Sequence, residues 1–120
     1  MKEDATREER ITMEAIVDAY GPEEQAMGWY YYLEGKMAFP FKAICTSKRR
    51  TSPVKVGAKM TVVRMAPEED CEREMFVEIE WDDNALAIPL DQLEALDADA
   101  GTREAIEDWQ YWVDRGYEFG

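Results

Sequence analysis

The chain has 120 residues, enough for one domain with a sizeable core. Its 27 acids against 14 bases give a formal charge of −13, while an apolar share of 46% with 12% aromatics is too rich for a disordered acidic chain. An acidic, folded, soluble domain is expected, and its charge disfavours nucleic acid and anionic membrane as partners.

There is no histidine. That removes Ser-His-Asp and Cys-His catalysis and every metal site that needs an imidazole. The cysteines, Cys45 and Cys71, are too few for a zinc thiolate cluster and read most simply as reduced, half-buried strand residues. No apolar run approaches the roughly 18 residues of a membrane span, and Met1-Lys2-Glu3-Asp4 does not open a signal peptide. A cytoplasmic protein is expected.

In chain order, residues 1–35 carry a net −6, residues 36–66 a net +8 without a single acid, and residues 67–120 a net −15. The first block predicts two helices. Thr6-Arg7-Glu8-Glu9 fits a capping box, and Met13, Ile16, Val17 and Tyr20 recur at helical spacing. Gly21-Pro22 breaks this helix, Pro22 opens the next with Glu23 and Glu24 in its first turn, and Met27, Tyr30, Tyr31 and Leu33 supply its apolar side. Gly35 is the expected terminator.

Residues 36–96 read as strands. Phe39, Phe41, Ala43 and Cys45 alternate with Pro40, Lys42 and Ile44, and Pro40 implies an edge or a strand start. Lys48 to Ser52 is a basic turn, Val54 to Gly57 leads into a strand over Met60 to Met65, and Met75, Val77, Ile79 and Trp81 alternate in the next. Asp82-Asp83-Asn84 has the residues of a tight hairpin turn, with Ala85 to Leu90 as the returning strand. Ile88 to Glu94 resembles the strand, single helical turn and final strand of SH3-like barrels. Residues 97–120 form a last helix, capped by Asp99 or Thr102, with Ala105, Ile106, Trp109, Trp112 and Val113 as its stripe and Gly116 at its end. The expected fold is α+β: a small SH3-like β-barrel flanked by two N-terminal helices and one C-terminal helix, in one domain.

The chemistry left to such a chain is that of carboxylates. Ca²⁺ is a hard cation that takes six to eight oxygens and needs no nitrogen or sulfur. Four acidic clusters qualify: Glu23-Glu24, Glu68-Glu69-Asp70 with Glu72, Asp82-Asp83-Asn84, and Asp97-Ala98-Asp99. Each also has a plain structural reading, as a helix start, a solvated loop, a hairpin turn and a helix cap. Asp97 to Gly101 partly matches an EF-hand loop, but the glycine falls one place early and Asp108 stands where the closing glutamate belongs. The aromatic run Trp29-Tyr30-Tyr31-Tyr32 reads as core packing. An enzyme is the weakest option, since no nucleophile, phosphate loop or cofactor fingerprint accompanies the acids.

The stretch from Asp18 to Glu34, DAYGPEEQAMGWYYYLE, resembles the signature of the cyanobacterial calcium-binding protein (CcbP) family. The resemblance continues through Phe39-Pro40-Phe41, Ser52 to Gly57, Met65 to Glu68, Ile88-Pro89-Leu90 and Asp108-Trp109 to Trp112. It implies a small acidic, non-enzymatic protein with helices packed on an SH3-like barrel, binding Ca²⁺ through surface carboxylates as a buffer or sensor. One position departs from the family pattern: an acid commonly follows the glutamate matching Glu34, and here Gly35 stands there, which implies a weaker or silent site.

A calcium site needs several carboxylates on firmly held segments. The expected ligands are therefore Glu34 at a helix end, Asp82 and Asp83 on a short turn, and Asp97 and Asp99 before the last helix, with Glu69 and Asp70 in reserve and two separate sites allowed. The alternative function is an SH3-like module that binds a protein or nucleic acid through the basic segment 36–66, without metal.

Overall fold

The computed structural model describes residues 4–50 and 52–119. Helix α1 (Ala5–Arg10) passes into a π-helical turn, Ile11–Ala15, and is followed by α2 (Pro22–Lys36). Strands β1 (Phe41–Cys45), β2 (Lys59–Met65), β3 (Phe76–Trp81), β4 (Asn84–Pro89) and β5 (Leu93–Asp97) come next, then α3 (Ala100–Asp114). Two 3-10 turns, Glu68–Cys71 and Leu90–Gln92, precede β3 and β5. The described residues are thus α+β, with three α-helices and one five-stranded antiparallel sheet.

Strand order is β4-β3-β2-β1-β5, with Val77 opposite Ile88 and Ala43 opposite both Met60 and Ala95. Among the described residues no ladder joins β4 to β5, so hydrogen bonding leaves the sheet open where the sequence suggests a closed barrel. Register shifts at Lys42/Ala43 and Val62/Arg64 bend β1 and β2. The alternation of apolar residues predicts most of the buried face: Trp81, at the hairpin end of β3, is exposed, but Phe41, Ala43, Cys45, Val77 and Ile79 are buried in the core. They meet Trp29 and Leu33 of α2 and Ile106 and Trp109 of α3 in one cluster.

Several local expectations are corrected. The N-cap of α1 is Asp4, extended at φ −114°, whose carboxylate accepts the Arg7 N–H at 3.0 Å. Thr6 lies inside the helix, since an aspartate in the right backbone conformation caps as well as a threonine. Of the stripe Met13, Ile16, Val17, Tyr20 only Ile16 packs against the core, beside the buried Ile11 and Ala15, while Tyr20 is 85% exposed. The cause is the π turn, in which the Ile16 N–H donates to the Ile11 carbonyl at 3.0 Å and the helix phase shifts. Gly28 permits the close approach, because a Cβ there would lie 2.2 Å from the Ala15 carbonyl oxygen.

Gly35 does not end α2, which continues to Lys36 and stops at Met37. Strand β1 starts only at Phe41, after the cis Phe39–Pro40 bond, so Phe39 lies outside it. Of the aromatic run, Trp29 and Tyr30 are buried but Tyr31 is exposed. Both cysteines are free and fully buried rather than half-buried. The sequence reading is right at Pro22 in the first turn of α2, at Asp99 capping α3 and at Gly116 with φ +82°.

Candidate metal centre

The acids are not balanced evenly by the bases. Asp108 of α3 is fully buried and takes Arg7 Nη1 at 2.7 Å, Arg10 Nε at 2.9 Å and Nη2 at 2.6 Å, and the Tyr32 hydroxyl at 2.6 Å. Arg49 binds Glu74 at 2.7 Å and Asp91 at 2.8 Å, Arg64 pairs with Glu78, and Lys36 with Glu104. These contacts take five of the fourteen bases, and many carboxylates lie outside them.

Five carboxylates outside these pairs line a cleft of about 880 Å³. One wall is the N-terminal turn of α2, with Pro22, Glu23, Ala26 and Met27. The opposite wall is the 3-10 turn, with Glu68 and Glu69, continued by Glu72 and Arg73, and the tail adds Glu118 and Phe119. Pro22 and Gly21 set the start of α2, so Glu23 sits where the helix dipole favours negative charge. The opposite wall is tied to α2 by the Tyr30 hydroxyl, which donates to the Ala66 carbonyl at 2.8 Å. It is also pinned from beneath by the buried Cys71 sulfur, which accepts the Phe76 N–H at 3.4 Å. Phe119 stacks near Trp109 and Trp112, with ring centroids 6.1 and 5.2 Å away, and so connects the cleft to the tryptophan cluster.

The electrostatics at this wall are those of crowded negative charge. Burial, with the neighbouring Glu34 and Glu68 charges, pushes the Tyr30 hydroxyl up to about 12. The Tyr31 hydroxyl donates to Glu68 and is raised chiefly by that hydrogen bond. Burial, with Asp70, Glu69 and Glu74 nearby, pushes the Cys71 thiol up to about 11. Five glutamates and one base, Arg73, line the cleft, so its metal-binding donors are carboxylate oxygens, the set a hard cation takes and a soft one does not. Among the described residues, however, no three acidic or sulfur side chains converge on a common point that could hold an ion.

The residues expected from sequence lie in four places. Glu69 lines the cleft, and its neighbour Asp70 stands on the same 3-10 turn. Glu34 is exposed near the end of α2 and close enough to Tyr30 and Tyr31 to raise both hydroxyls. Asp82 and Asp83 form the exposed β3–β4 turn with φ of 45° and 66°. Asp97 ends β5 opposite Lys42, and Asp99 accepts the Thr102 N–H at 2.7 Å, which lowers its carboxyl below the usual range. The structure does not gather these seven into one group. In the sequence Glu23 and the run Glu68 to Glu72 are separate clusters and Glu118 carries no signal; their sharing one cleft is a tertiary fact.

A family model described as calcium binding, CcbP, matches residues 9–113. The chain belongs to the CcbP calcium-binding family. The crystal structure of Anabaena CcbP superposes with a TM-score of 0.88 at 43% identity, over 99% of this chain and 98% of that one. A structure described as a calcium binding protein in the calcium-binding form gives a TM-score of 0.86 at 44% identity, over 98% of this chain and 96% of that one. No curated protein matches. CcbP is a calcium-binding family and not an enzyme family.

Proposed function

We propose that this protein binds Ca²⁺ non-enzymatically through surface carboxylates and serves as a calcium buffer. The observation that carries the reading is the 44% identity, over 98% of this chain, to a relative described in its calcium-binding form. The donor chemistry supports it, since a chain of net charge −13 with no histidine offers oxygen ligands above all. The cleft formed by Glu23, Glu68, Glu69, Glu72 and Glu118 is the principal place for the ion. Acids lining a cleft without converging suit a buffer: relief of mutual repulsion drives binding, and the glutamate stems must rotate inward to complete the shell. Glu34, Asp70, Asp82, Asp83, Asp97 and Asp99 are secondary places for weaker association.

The strand order and the 3-10 turn between β4 and β5 support reading the sheet as a curled SH3-like barrel. Among the described residues no helix is long and apolar enough to cross a membrane. Two free, buried thiols favour a reducing compartment such as the cytoplasm. The alternative of an interaction module acting through residues 36–66 has less support, because Lys36, Arg49 and Arg64 of that segment already pair with acids of the same molecule.

Calorimetric titration with Ca²⁺, with Mg²⁺ as competitor, tests the reading. Wild type is expected to release or absorb heat on titration, with a change in tryptophan emission relayed through Phe119. The Glu68→Gln/Glu69→Gln/Glu72→Gln variant is expected to bind at least about tenfold more weakly, which corresponds to ~1.4 kcal/mol. If Asp82→Asn/Asp83→Asn suffers that loss instead, the ion sits at the hairpin. Absence of any heat in wild type overturns the calcium reading itself.

A further inference from the structure

The segment that the helical pattern assigns to the core is turned outward. Met13 is 62% exposed, Val17 49% and Tyr20 85%, so three of the large apolar side chains on the surface fall within eight residues. Isolated exposed apolar residues are ordinary, but a group of them within so short a segment marks an interaction surface. The arrangement is fixed by the fold. Ile11 and Ala15 occupy the inward positions of the π turn, and the missing Cβ of Gly28 lets that turn lie against α2. Met13 lies on the π turn, Val17 on the turn that follows it, and Tyr20 on the irregular segment that leads into α2.

The exposed charges along the chain between residues 9 and 24 have one sign. Glu9, Glu14, Asp18 and Glu24 are all exposed, while Glu23 belongs to the cleft. Arg10, the one base between residues 9 and 24, is held by the buried Asp108. A surface of methionine, valine and tyrosine framed by unopposed carboxylates is complementary to a lysine- or arginine-rich segment with apolar side chains along one face.

We propose that Met13, Val17 and Tyr20, with the acids around them, form a docking surface for a basic amphipathic segment of a partner protein. A second copy of the chain fits less well, since two molecules of charge −13 repel. The surface is distinct from the glutamate cleft and does not depend on calcium binding there.

The test uses the full chain in excess chelator, so that its outcome is separate from that of the calcium titration. The probe is a fluorescent peptide of leucine and lysine arranged with helical periodicity and long enough to form a helix, compared with a scrambled peptide of the same composition. Wild type is expected to bind the amphipathic peptide at least tenfold more tightly than the scrambled one. Met13→Ser/Val17→Ser/Tyr20→Ser is expected to lose that preference while keeping the wild-type circular dichroism spectrum. The single Tyr20→Ser variant, at the most exposed position, is expected to lose at least threefold. Equal binding of the two peptides, unchanged affinity in the Tyr20→Ser variant, or self-association of wild type abolished by the triple substitution each overturns the proposal.

Discussion

Asp108 shows how one side chain can hold distant parts of a chain together. It is fully buried on α3, yet both its oxygens are occupied by Arg7 and Arg10 of α1 and by Tyr32 of α2. A buried carboxylate is tolerable only with such compensation. Asp108→Ala removes the anion and leaves two guanidinium groups, each about one-fifth exposed, facing an empty space. A loss of about 3 kcal/mol in urea-unfolding stability is expected, with α1 detaching first. A second expectation at this scale concerns alkaline pH. Tyr30 is raised from 10 to about 12 and Cys71 from 9 to about 11, so the folded state keeps protons that the unfolded chain releases. The stabilisation linked to these groups is complete below pH 9 and is lost as pH rises through 11 and 12. Unfolding midpoints measured across that window should fall for wild type and fall less for Tyr30→Phe.

At the scale of elements, the β3–β4 hairpin makes a sharper demand than its composition alone suggests. Asp82 and Asp83 both have positive φ, the geometry of a type I′ turn, and Asn84 Nδ2 donates to the Asp82 carbonyl at 3.3 Å. Aspartate tolerates this region, whereas a β-branched residue does not. Asp83→Val is therefore expected to cost ~1–2 kcal/mol, and Asp83→Gly to raise the melting temperature slightly. Calorimetric melting of both variants checks this, and equal melting temperatures would show that the turn does not limit stability. The π turn after α1 has the opposite character. No cap or propensity encodes it, and it arises where the backbone settles against Gly28 of α2.

For the whole molecule, a charge of −13 destabilises the compact state by self-repulsion. Monovalent salt should raise the melting temperature by screening alone. Ca²⁺ at matched ionic strength should raise it further, because binding to the folded state adds a mass-action term. Identical melting curves in Na⁺ and Ca²⁺ at one ionic strength would reduce the calcium effect to screening. The sequence by itself determined the helix starts at Pro22 and Asp99, the helix end at Gly116, the buried alternation through Val77 and Ile79, and the carboxylate-only chemistry. These depend on residues a few positions apart, or on composition, and so can be read along the chain. That Glu23 shares a cleft with Glu68, Glu69, Glu72 and Glu118, and that Met13 and Val17 turn outward, is set in three dimensions. Those outcomes follow from contacts between segments remote in sequence, the Tyr30–Ala66 bond and the bonds of Asp108 to Arg7 and Arg10 among them, which no local period or spacing encodes.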